Sequence, residues 1–499
     1  MNLSLSAPEA WDPLPTGAWD DAAARHLLRR ATWAAGPAEV GRAVSEGLPA
    51  TLDRLFPAAP SAWPKPPLVA ALENDMPAFR QQAAQASDAV KRLLRREEVE
   101  RSQVAVRDMG VRWMELAAVP ENSAFEKWVL FLSGVYVVAT EKVKNAAFVY
   151  RHFEILAQGA LASAPSLAKA VSRSPAMEVY LDLVENRAHA PNENFARELF
   201  ELFLLGEGNY TEDDIKDAAR AFTGYRLQPG TGRFVFAPRQ HDDGEKTVFG
   251  HTGRFTGDDI IELAYRQRAA GAHLPKRMAA FYLSDIPLPA DFLLGIGDRW
   301  RGEGNLELRW LVRTFFGSRL FFAPEFRGNF IKSPVQLYLG LVQDLGLKVV
   351  PVPRLVLNPL RQMGQTPFDP PNVRGWVGGR AWINSASLAA RREVVERLFA
   401  PFDADTLTAD EVREVDLVRV GEAASFSVPD GFLEPWATLE PEAVVARLSE
   451  EFLAIPPEAA FLDGLRQFLK TGARYPTEHK RRLRRAMMTV FESPEYQVC

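Results

Sequence analysis

The stretch Pro191–Leu205, PNENFARELFELFLL, is the clearest sign of how this chain of 499 residues folds. At 100° per residue, one arc of about 140° holds the polar side chains Glu193, Asn194, Arg197, Glu198 and Glu201. Phe195, Leu199, Leu202 and Phe203 fall on the opposite side. This periodicity predicts an amphipathic helix over 192–205.

Helical periodicity of the same kind recurs along most of the chain. Strand-like segments are confined to Arg233–Ala237 and Lys348–Val352, and both are short. We therefore predict a mainly α protein, a multi-helix globular body with long loops and at most a short two-stranded β ribbon.

Four segments follow from the changes in composition. We predict an N-terminal arm at 1–21 and a main helical domain at 22–400. Acidic residues and prolines crowd the stretch 401–440, which we interpret as a connector. A C-terminal helical segment at 441–499 is then expected to pack on the main domain.

Composition excludes several classes of function. The net charge of −5 gives no basic surplus, so no nucleic-acid partner is expected. Cys499 is the only cysteine, which rules out an internal disulfide and a cysteine-based zinc site. The longest uncharged apolar stretch, Trp128–Thr140, is shorter than the roughly 20 residues of a membrane span, and we expect a buried helix there. No signal peptide is recognised, so a cytoplasmic location is expected.

The polar arc of 192–205 is the first candidate site. Asn194, Glu198 and Glu201 could converge on one point, as oxygen ligands or acid–base carboxylates must. Arg197 is four residues from both Glu193 and Glu201, a spacing that favours ion pairs. The alternative is a solvated face held together by such pairs.

The segment Tyr210–Tyr225 is explained almost entirely by helix capping. Thr211 and Asp214 form a weaker version of the capping box, and Gly224 is expected at the helix end. Only Arg220 is left as a possible functional group.

The loop Gln240–Phe255, QHDDGEKTVFGHTGRF, is a further candidate. It places His241 beside Asp242, with Lys246 and His251 nearby, and imidazole with carboxylate suits a base–orienter pair or a metal site. A hydrogen-bonded structural loop is the alternative.

The loop Gly364–Asn384 presents two tryptophans, Trp376 and Trp382, and the cations Arg374 and Arg380. Such a loop could stack a sugar or a peptide, or it could plug the core. Asn384 is expected to cap the next helix.

These stretches together resemble one family, the bacterial domain-of-unknown-function family number 1800. The motifs are HLLRRATWAAGPAEV at His26–Val40, PNENFARELFELF at Pro191–Phe203, HDDGEKTVFG at His241–Gly250, IKSPVQL at Ile331–Leu337, MGQTPFDPPNVRGW at Met363–Trp376 and SPEYQ at Ser493–Gln497. The resemblance implies a mainly helical protein without an established activity. It also implies a sulfatase-like protein encoded nearby as a possible partner. The family's polar signature falls on Asn192, Glu193, Asn194, Arg197, Glu198, Glu201, His241, Asp242, Lys246, Asn372 and Trp376.

One departure from the family pattern concerns a histidine pair. Many members carry a Trp-His-x-His-Phe-like stretch where this chain has Ser133 and Val135 at the two histidine positions. If those imidazoles bind a metal in the family, this chain lacks them. The remaining donors, Glu198, Glu201, His241 and Asp242, are mostly oxygens that suit Mg²⁺, Mn²⁺ or Ca²⁺ better than zinc.

Three functions follow as hypotheses. The first is a non-catalytic partner or maturation factor for the sulfatase-like protein. The second is a hydrolase in which Glu198, Glu201, His241 and Asp242 are catalytic, with an optional divalent cation. The substrate would then contact Asn194, Arg197, Lys246, Asn372, Arg374 and Trp376. The third is a carbohydrate- or peptide-binding module built on Trp376 and Trp382. All site-based hypotheses expect Glu198 and His241 to meet in one cleft.

Overall fold

The computed structural model describes residues 3–60, 63–228, 231–419, 425–471 and 476–499. Its fold is mainly α, as predicted. The helices of the first half are α1 Ala7–Ala10, α2 Asp21–Ala31, α3 Pro37–Glu46, α4 Leu48–Leu55, α5 Pro67–Gln85, α6 Asp88–Ala118, α7 Pro120–Val135, α8 Thr140–Val143, α9 Ala146–Gly159, α10 Ala164–Ser172, α11 Pro175–Tyr180, α12 Asn194–Glu198 and α13 Glu212–Ala221. A π-helical segment, Leu199–Leu204, follows α12 directly.

The helices of the second half are α14 Gly257–Arg266, α15 Arg268–Tyr282, α16 Ala290–Gly302, α17 Leu308–Gly317, α18 Pro334–Asp344, α19 Pro353–Met363, α20 Ser385–Phe399, α21 Ala409–Arg419, α22 Asp430–Ala437, α23 Pro441–Phe452, α24 Ala459–Lys470 and α25 Pro476–Glu492. Local capping signals position several of these helices. Asn384 accepts a hydrogen bond from the backbone N–H of Ser387 and caps α20 as predicted.

The strands form two antiparallel ribbons. β1 Tyr225–Leu227 pairs with β2 Phe234–Phe236, inside the segment predicted as a strand. β3 Lys246–Val248 pairs with β4 His251–Gly253, a ribbon that the sequence did not indicate. The other predicted strand, at 348–352, does not form. That segment is an extended link between α18 and α19, and Pro351 in its middle has no N–H to donate to a ladder.

The core is built around α7, which is buried nearly all round. Trp128 is fully buried, stacks on Phe131 at 4.9 Å between ring centroids and donates a hydrogen bond to the carbonyl of Ala160. The helix ends at Val135, so the apolar residues up to 140 do not extend it as predicted. In the described ranges no helix is long and apolar enough to span a bilayer.

Two buried cations, Arg30 and Lys127, connect elements in the interior of the protein. Arg30 on α2 is 1% exposed and donates to the carbonyls of Tyr282 and Leu283. Lys127 on α7, 2% exposed, donates to the carbonyls of Arg30 and Thr32. Most of their hydrogen bonds go to backbone carbonyl oxygens, so these cations join helices, although the Nε of Arg30 has no hydrogen-bond partner in the described ranges.

The C-terminal residues pack against the main body. α25 contacts α20 and α22, and the buried Arg391 of α20 donates to Gln497 and to the carbonyl of Lys332. The stretch interpreted as a connector is more helical than its composition suggested, because it contains α21 and α22. Phe402 and Phe426, whose ring centroids are 5.2 Å apart, give this stretch apolar packing of its own.

Candidate functional site

The acidic patch consists of Glu198, Glu201 and Glu207 with the cation Arg374. Arg374 donates to Glu201 Oε1 and to Glu207 Oε1, both at 3.0 Å. The hydroxyl of Tyr210 donates to Glu201 Oε2 at 3.1 Å. The loop at 364–384 is thus tied to the helix at 192–205.

The π-helical segment Leu199–Leu204 shapes this patch. Glu201 lies in the π-helical segment, where Leu205 N–H donates to the carbonyl of Phe200 at 2.9 Å. The wider turn changes the phase of the residues that follow Glu198. Arg197 therefore pairs with Glu193 at 3.2 Å as predicted, but it does not pair with Glu201. π-turns of this kind are frequent at functional sites.

Arg197 points toward the start of α13. Its guanidinium makes a two-pronged contact with Glu212, with both N–O distances at 2.8 Å. Asn194 lies one turn earlier and donates to Asp182, which also pairs with Lys142 at 2.7 Å. The signature residues of α12 are thus connected to the chain at 139–145.

Glu198 is a partly buried carboxyl group of the patch. Burial raises its pKa, and the neighbouring Glu201 raises it further, against the opposing charges of Arg374 and Arg197. The described chain contains no hydrogen-bond partner for the Glu198 carboxyl. Two carboxyl groups in unequal surroundings are a usual arrangement for acid–base chemistry.

The His–Asp loop, residues 241–246, is held by α13. His241 Nδ1 donates to the carbonyl of Thr223 at 2.9 Å. Asp242 pairs with Arg220 at 2.7 Å, and this guanidinium holds the pKa of Asp242 below its usual range. Lys246 is 1% exposed and donates to the backbone carbonyls of Asp242 and Gly244.

The acidic patch and the His–Asp loop are not joined. Among the described residues, no hydrogen bond, ion pair or resolved charge interaction links His241 or Asp242 to Glu198 or Glu201. The imidazole of His241 is hydrogen-bonded to Thr223, which lies just after the C-terminal end of α13. Glu201 is hydrogen-bonded to Tyr210, which lies just before the N-terminal end of the same helix. A ten-residue helix is about 15 Å long. Arg220, the residue that capping left unexplained, anchors the loop.

The loop Gly364–Asn384, here called the tryptophan loop, lies against the C-terminal end of α7. Asn372 accepts the backbone N–H of Arg374 and is otherwise exposed. Gly375 has φ +83°, and a Cβ there would lie 2.8 Å from the carbonyl oxygen of Gly134. Trp376 is half-buried and Trp382 is 6% exposed, so the two rings differ in accessibility.

The positions of the family's histidine pair lie inside the protein. Ser133 is 3% exposed and donates to the carbonyl of Leu130, and Val135 is 1% exposed. The described ranges contain no group of three or more His, Cys, Asp or Glu side chains that could hold a metal ion. The residues present do not fit the Mg²⁺, Mn²⁺ or Ca²⁺ site that the sequence suggested.

The charged cleft is the feature that sequence reasoning missed. It has a volume of about 860 Å³ and lies between α6, residues 139–145 and residues 357–371. The charged side chains that line it are Arg107, Lys142, Lys144, Arg361, Glu141 and Asp369. These residues come from separate elements, so no local motif contains them. The lysines of TEKVKN at 140–145, directly after an apolar helix, were the available signal.

The charged cleft adjoins the motifs. The motif Met363–Trp376 lines it with Thr366, Pro367, Asp369, Pro370 and Pro371. The hydroxyl of Thr140 donates to Asp369 at 2.6 Å. Burial raises the pKa of Tyr180, which also lines the cleft, and the charges of Glu198 and Glu141 raise it further. Glu198 of the acidic patch therefore lies near enough to this tyrosine to act on its charge.

The comparisons with known proteins point to one family. A search of curated proteins and a search of solved structures each returned no match. The model of one protein family matches residues 26–498, nearly the whole chain. This range contains every motif that lines the charged cleft, the acidic patch and the His–Asp loop. The chain therefore belongs to the family described as protein of unknown function (DUF1800).

Proposed function

We propose that this protein is a non-catalytic binding partner whose charged cleft holds an acidic segment of another protein. The observation that carries the proposal is a set of three exposed cations on the cleft wall, Arg107, Lys144 and Arg361. None of the three has an ion-pair partner in the ranges that the structure describes. Grouped cations in a concave surface attract and orient anionic groups.

The shape and lining of the cleft support a chain-like ligand. Val99, Val106 and Leu357 contribute apolar surface, and the cations stand beside them. An extended segment that carries both apolar and acidic side chains would use both kinds of surface. Asp369 is already engaged by Thr140 and Lys142 by Asp182, so the anion would be held by the other cations.

Most polar side chains of the motifs are engaged in contacts within the protein, which supports binding over catalysis. His241, Asp242 and Arg220 hold a loop to a helix, and Arg197 is occupied by two glutamates. The resemblance to the family suggests the sulfatase-like protein as the partner. A cytoplasmic encounter, before any export of that partner, would make this protein a maturation factor.

Capture from native cells tests the proposal. The tagged full chain is compared with Arg107→Glu/Lys144→Glu and with the control Arg481→Glu/Arg485→Glu, which changes two exposed cations of α25 outside the cleft. We expect the wild type and the control to retain one stable protein, and the cleft variant to retain at least tenfold less. Capture of no protein by the wild type, or equal capture by all three, would refute the proposal.

A hydrolase is the second candidate, and the raised pKa of Glu198 beside Glu201 favours it. Glu198 would act as the general acid and Glu201 as the base that activates water, while Arg374 orients Glu201. The His–Asp pair takes no part in this arrangement, because it is anchored at the other end of α13.

Substrate profiling tests the second candidate. A panel of carboxylate, phosphate and sulfate esters is offered to the wild type, to Glu198→Gln and to Glu97→Gln, an exposed glutamate of α6. An acid–base role predicts that Glu198→Gln lowers kcat by about 100-fold or more while the control is unaffected. No turnover by the wild type, or equal turnover by Glu198→Gln, would rule this hydrolase out.

A further inference from the structure

A second cavity, here called the aromatic cavity, lies apart from the charged cleft and shares no lining residue with it. Its volume is about 160 Å³. The apolar side chains on its walls are Leu130, Phe131, Phe281, Phe330, Trp376 and Trp382. They come from α7, α15, the segment before α18 and the tryptophan loop, so the cavity exists only in the folded chain.

Several polar groups on these walls are engaged by the protein itself. The guanidinium of Arg277 donates to the carbonyls of Leu202 and Gly134. Gln336 donates to the carbonyl of Arg29, and the side-chain oxygen of Gln365 accepts the backbone N–H of Val335. The amide nitrogen of Gln365, the hydroxyl of Ser333 and the indole N–H groups of Trp376 and Trp382 donate to no acceptor in the described ranges, which leaves a few donors on the walls.

The size and chemistry of the cavity select its ligand. An apolar cavity of about 150 Å³ holds a molecule of the size of benzene. A sugar ring would bring several hydroxyl groups against walls that are mainly apolar side chains, and the hydroxyl groups that find no partner would lose their hydrogen bonds to water. We propose that the aromatic cavity binds a small, mostly apolar compound with a single ring and few hydrogen-bonding groups.

The ligand has a route of entry. Ala280 and Gly378 line both the aromatic cavity and a broad surface depression of about 870 Å³. Both residues are exposed, so they mark the mouth of the cavity. The depression also carries the exposed side chains of Ile286 and Val377, which are 49% and 66% exposed. An apolar ligand would therefore meet apolar surface before it enters.

Binding of three probes to the full chain tests the proposal. Toluene, phenol and glucose are titrated separately, and binding is followed by saturation-transfer NMR and calorimetry. We expect toluene and phenol to bind with one site per chain and to compete with each other, and glucose not to bind. Absence of toluene and phenol binding would overturn the proposal, and binding of glucose alone would replace the apolar ring with a sugar.

Variants at the mouth locate the site. Ala280→Trp is compared with Ala389→Trp, an exposed alanine of α20 that lines neither the cavity nor the depression. We expect the first to weaken toluene binding at least tenfold and the second to leave it unchanged. Gly378→Leu closes the same mouth from the other side, and a Cβ at that position has open space around it. Wild-type affinity in either folded mouth variant would contradict this assignment.

Discussion

At the scale of single residues, Phe368 is a strained position beside the charged cleft. Its backbone has φ +66°, a region that bulky residues rarely adopt. Its ring is buried against Phe153 at 4.2 Å, Trp63 at 5.6 Å and Trp113 at 6.0 Å. The aromatic contacts hold the unfavourable backbone and thereby place Asp369 on the cleft wall. Strain of this kind persists only where the surrounding packing imposes it.

Removal of the Phe368 ring should unfold the cleft wall. Phe368→Ala loses the buried ring but keeps a side chain at positive φ, so we expect the free energy of unfolding to fall by about 3–5 kcal/mol. Phe368→Gly should be no worse than Phe368→Ala, because glycine tolerates the backbone. Urea unfolding measures both, with Phe468→Ala at a 37% exposed position as the control. A loss below about 1 kcal/mol would show that the ring does not hold this turn.

Glu178 gives the protein a pH-dependent stability. It is 0% exposed, and neither carboxyl oxygen has a hydrogen-bond partner in the described ranges. Burial raises its pKa to about 8, against the attraction of Arg226. The folded state therefore keeps the proton while the unfolded chain loses it near pH 4.5, so the free energy of unfolding falls as the pH rises from about 4.5 to about 8.

Glu178→Gln should remove this pH dependence. We expect little difference from the wild type at pH 4.5 and a gain in stability for the variant that reaches roughly 2–4 kcal/mol by pH 8. Thermal unfolding across this pH range measures the difference, and Glu97→Gln on the surface serves as the control. A constant difference at every pH would show that Glu178 does not titrate in this range.

At the scale of elements, capping and periodicity explain the helices, while departures from regular geometry lie near the sites. The predicted capping box at Thr211 and Asp214 starts α13. The helix at 192–205 exists as predicted, but its second half is a π-segment, and a 100° projection cannot anticipate that. Hence the sequence identified the polar side chains of this helix and assigned one of their two ion pairs incorrectly.

The contact between the tryptophan loop and α7 depends on a glycine. Gly375→Ala introduces a Cβ at φ +83° and 2.8 Å from the Gly134 carbonyl oxygen, so the loop must move away. We expect a loss of about 2 kcal/mol or more and faster hydrogen exchange over 369–378. Gly378→Ala in the same loop is the matched control, because nothing lies within 4 Å of its Cβ position. Equal behaviour of the two variants would mean that the close approach is not required.

At the scale of the whole molecule, buried cations bonded to carbonyl groups link distant parts of the chain. Arg391 of α20 is 2% exposed and bridges the carbonyl of Lys332 and the side chain of Gln497. The hydrogen bond between Arg391 and Gln497 ties residues 494–499 to the main body. The hydrogen bond from Cys499 N–H to the carbonyl of Phe330 does the same. Contacts of this kind join residues before 400 to residues after 440.

Loss of the Arg391 bridge should release the chain end first. Arg391→Met keeps the apolar stem but leaves two buried acceptors unpaired, so we expect a loss of about 2–4 kcal/mol. Hydrogen exchange at 494–499 should rise more than elsewhere. Arg392→Met changes the exposed neighbour, which pairs with Glu396, and should cost less than about 1 kcal/mol. Uniform exchange across the protein would contradict a local tether.

Local patterns of residues were enough to predict the fold class, most helix positions and the caps of α13 and α20, because these depend on side chains within a few residues of one another. The family was recognised from short motifs in the same way. Which polar groups meet depends on the packing of distant elements, and it became visible only in the three-dimensional fold. Glu201 and Arg374 are 173 residues apart in the chain and in contact in space, while His241, 40 residues or so from the same helix, is held elsewhere. The charged cleft and the aromatic cavity likewise assemble side chains from separate helices and loops. Such sites arise from the packing of whole elements, and no local pattern of residues contains that information.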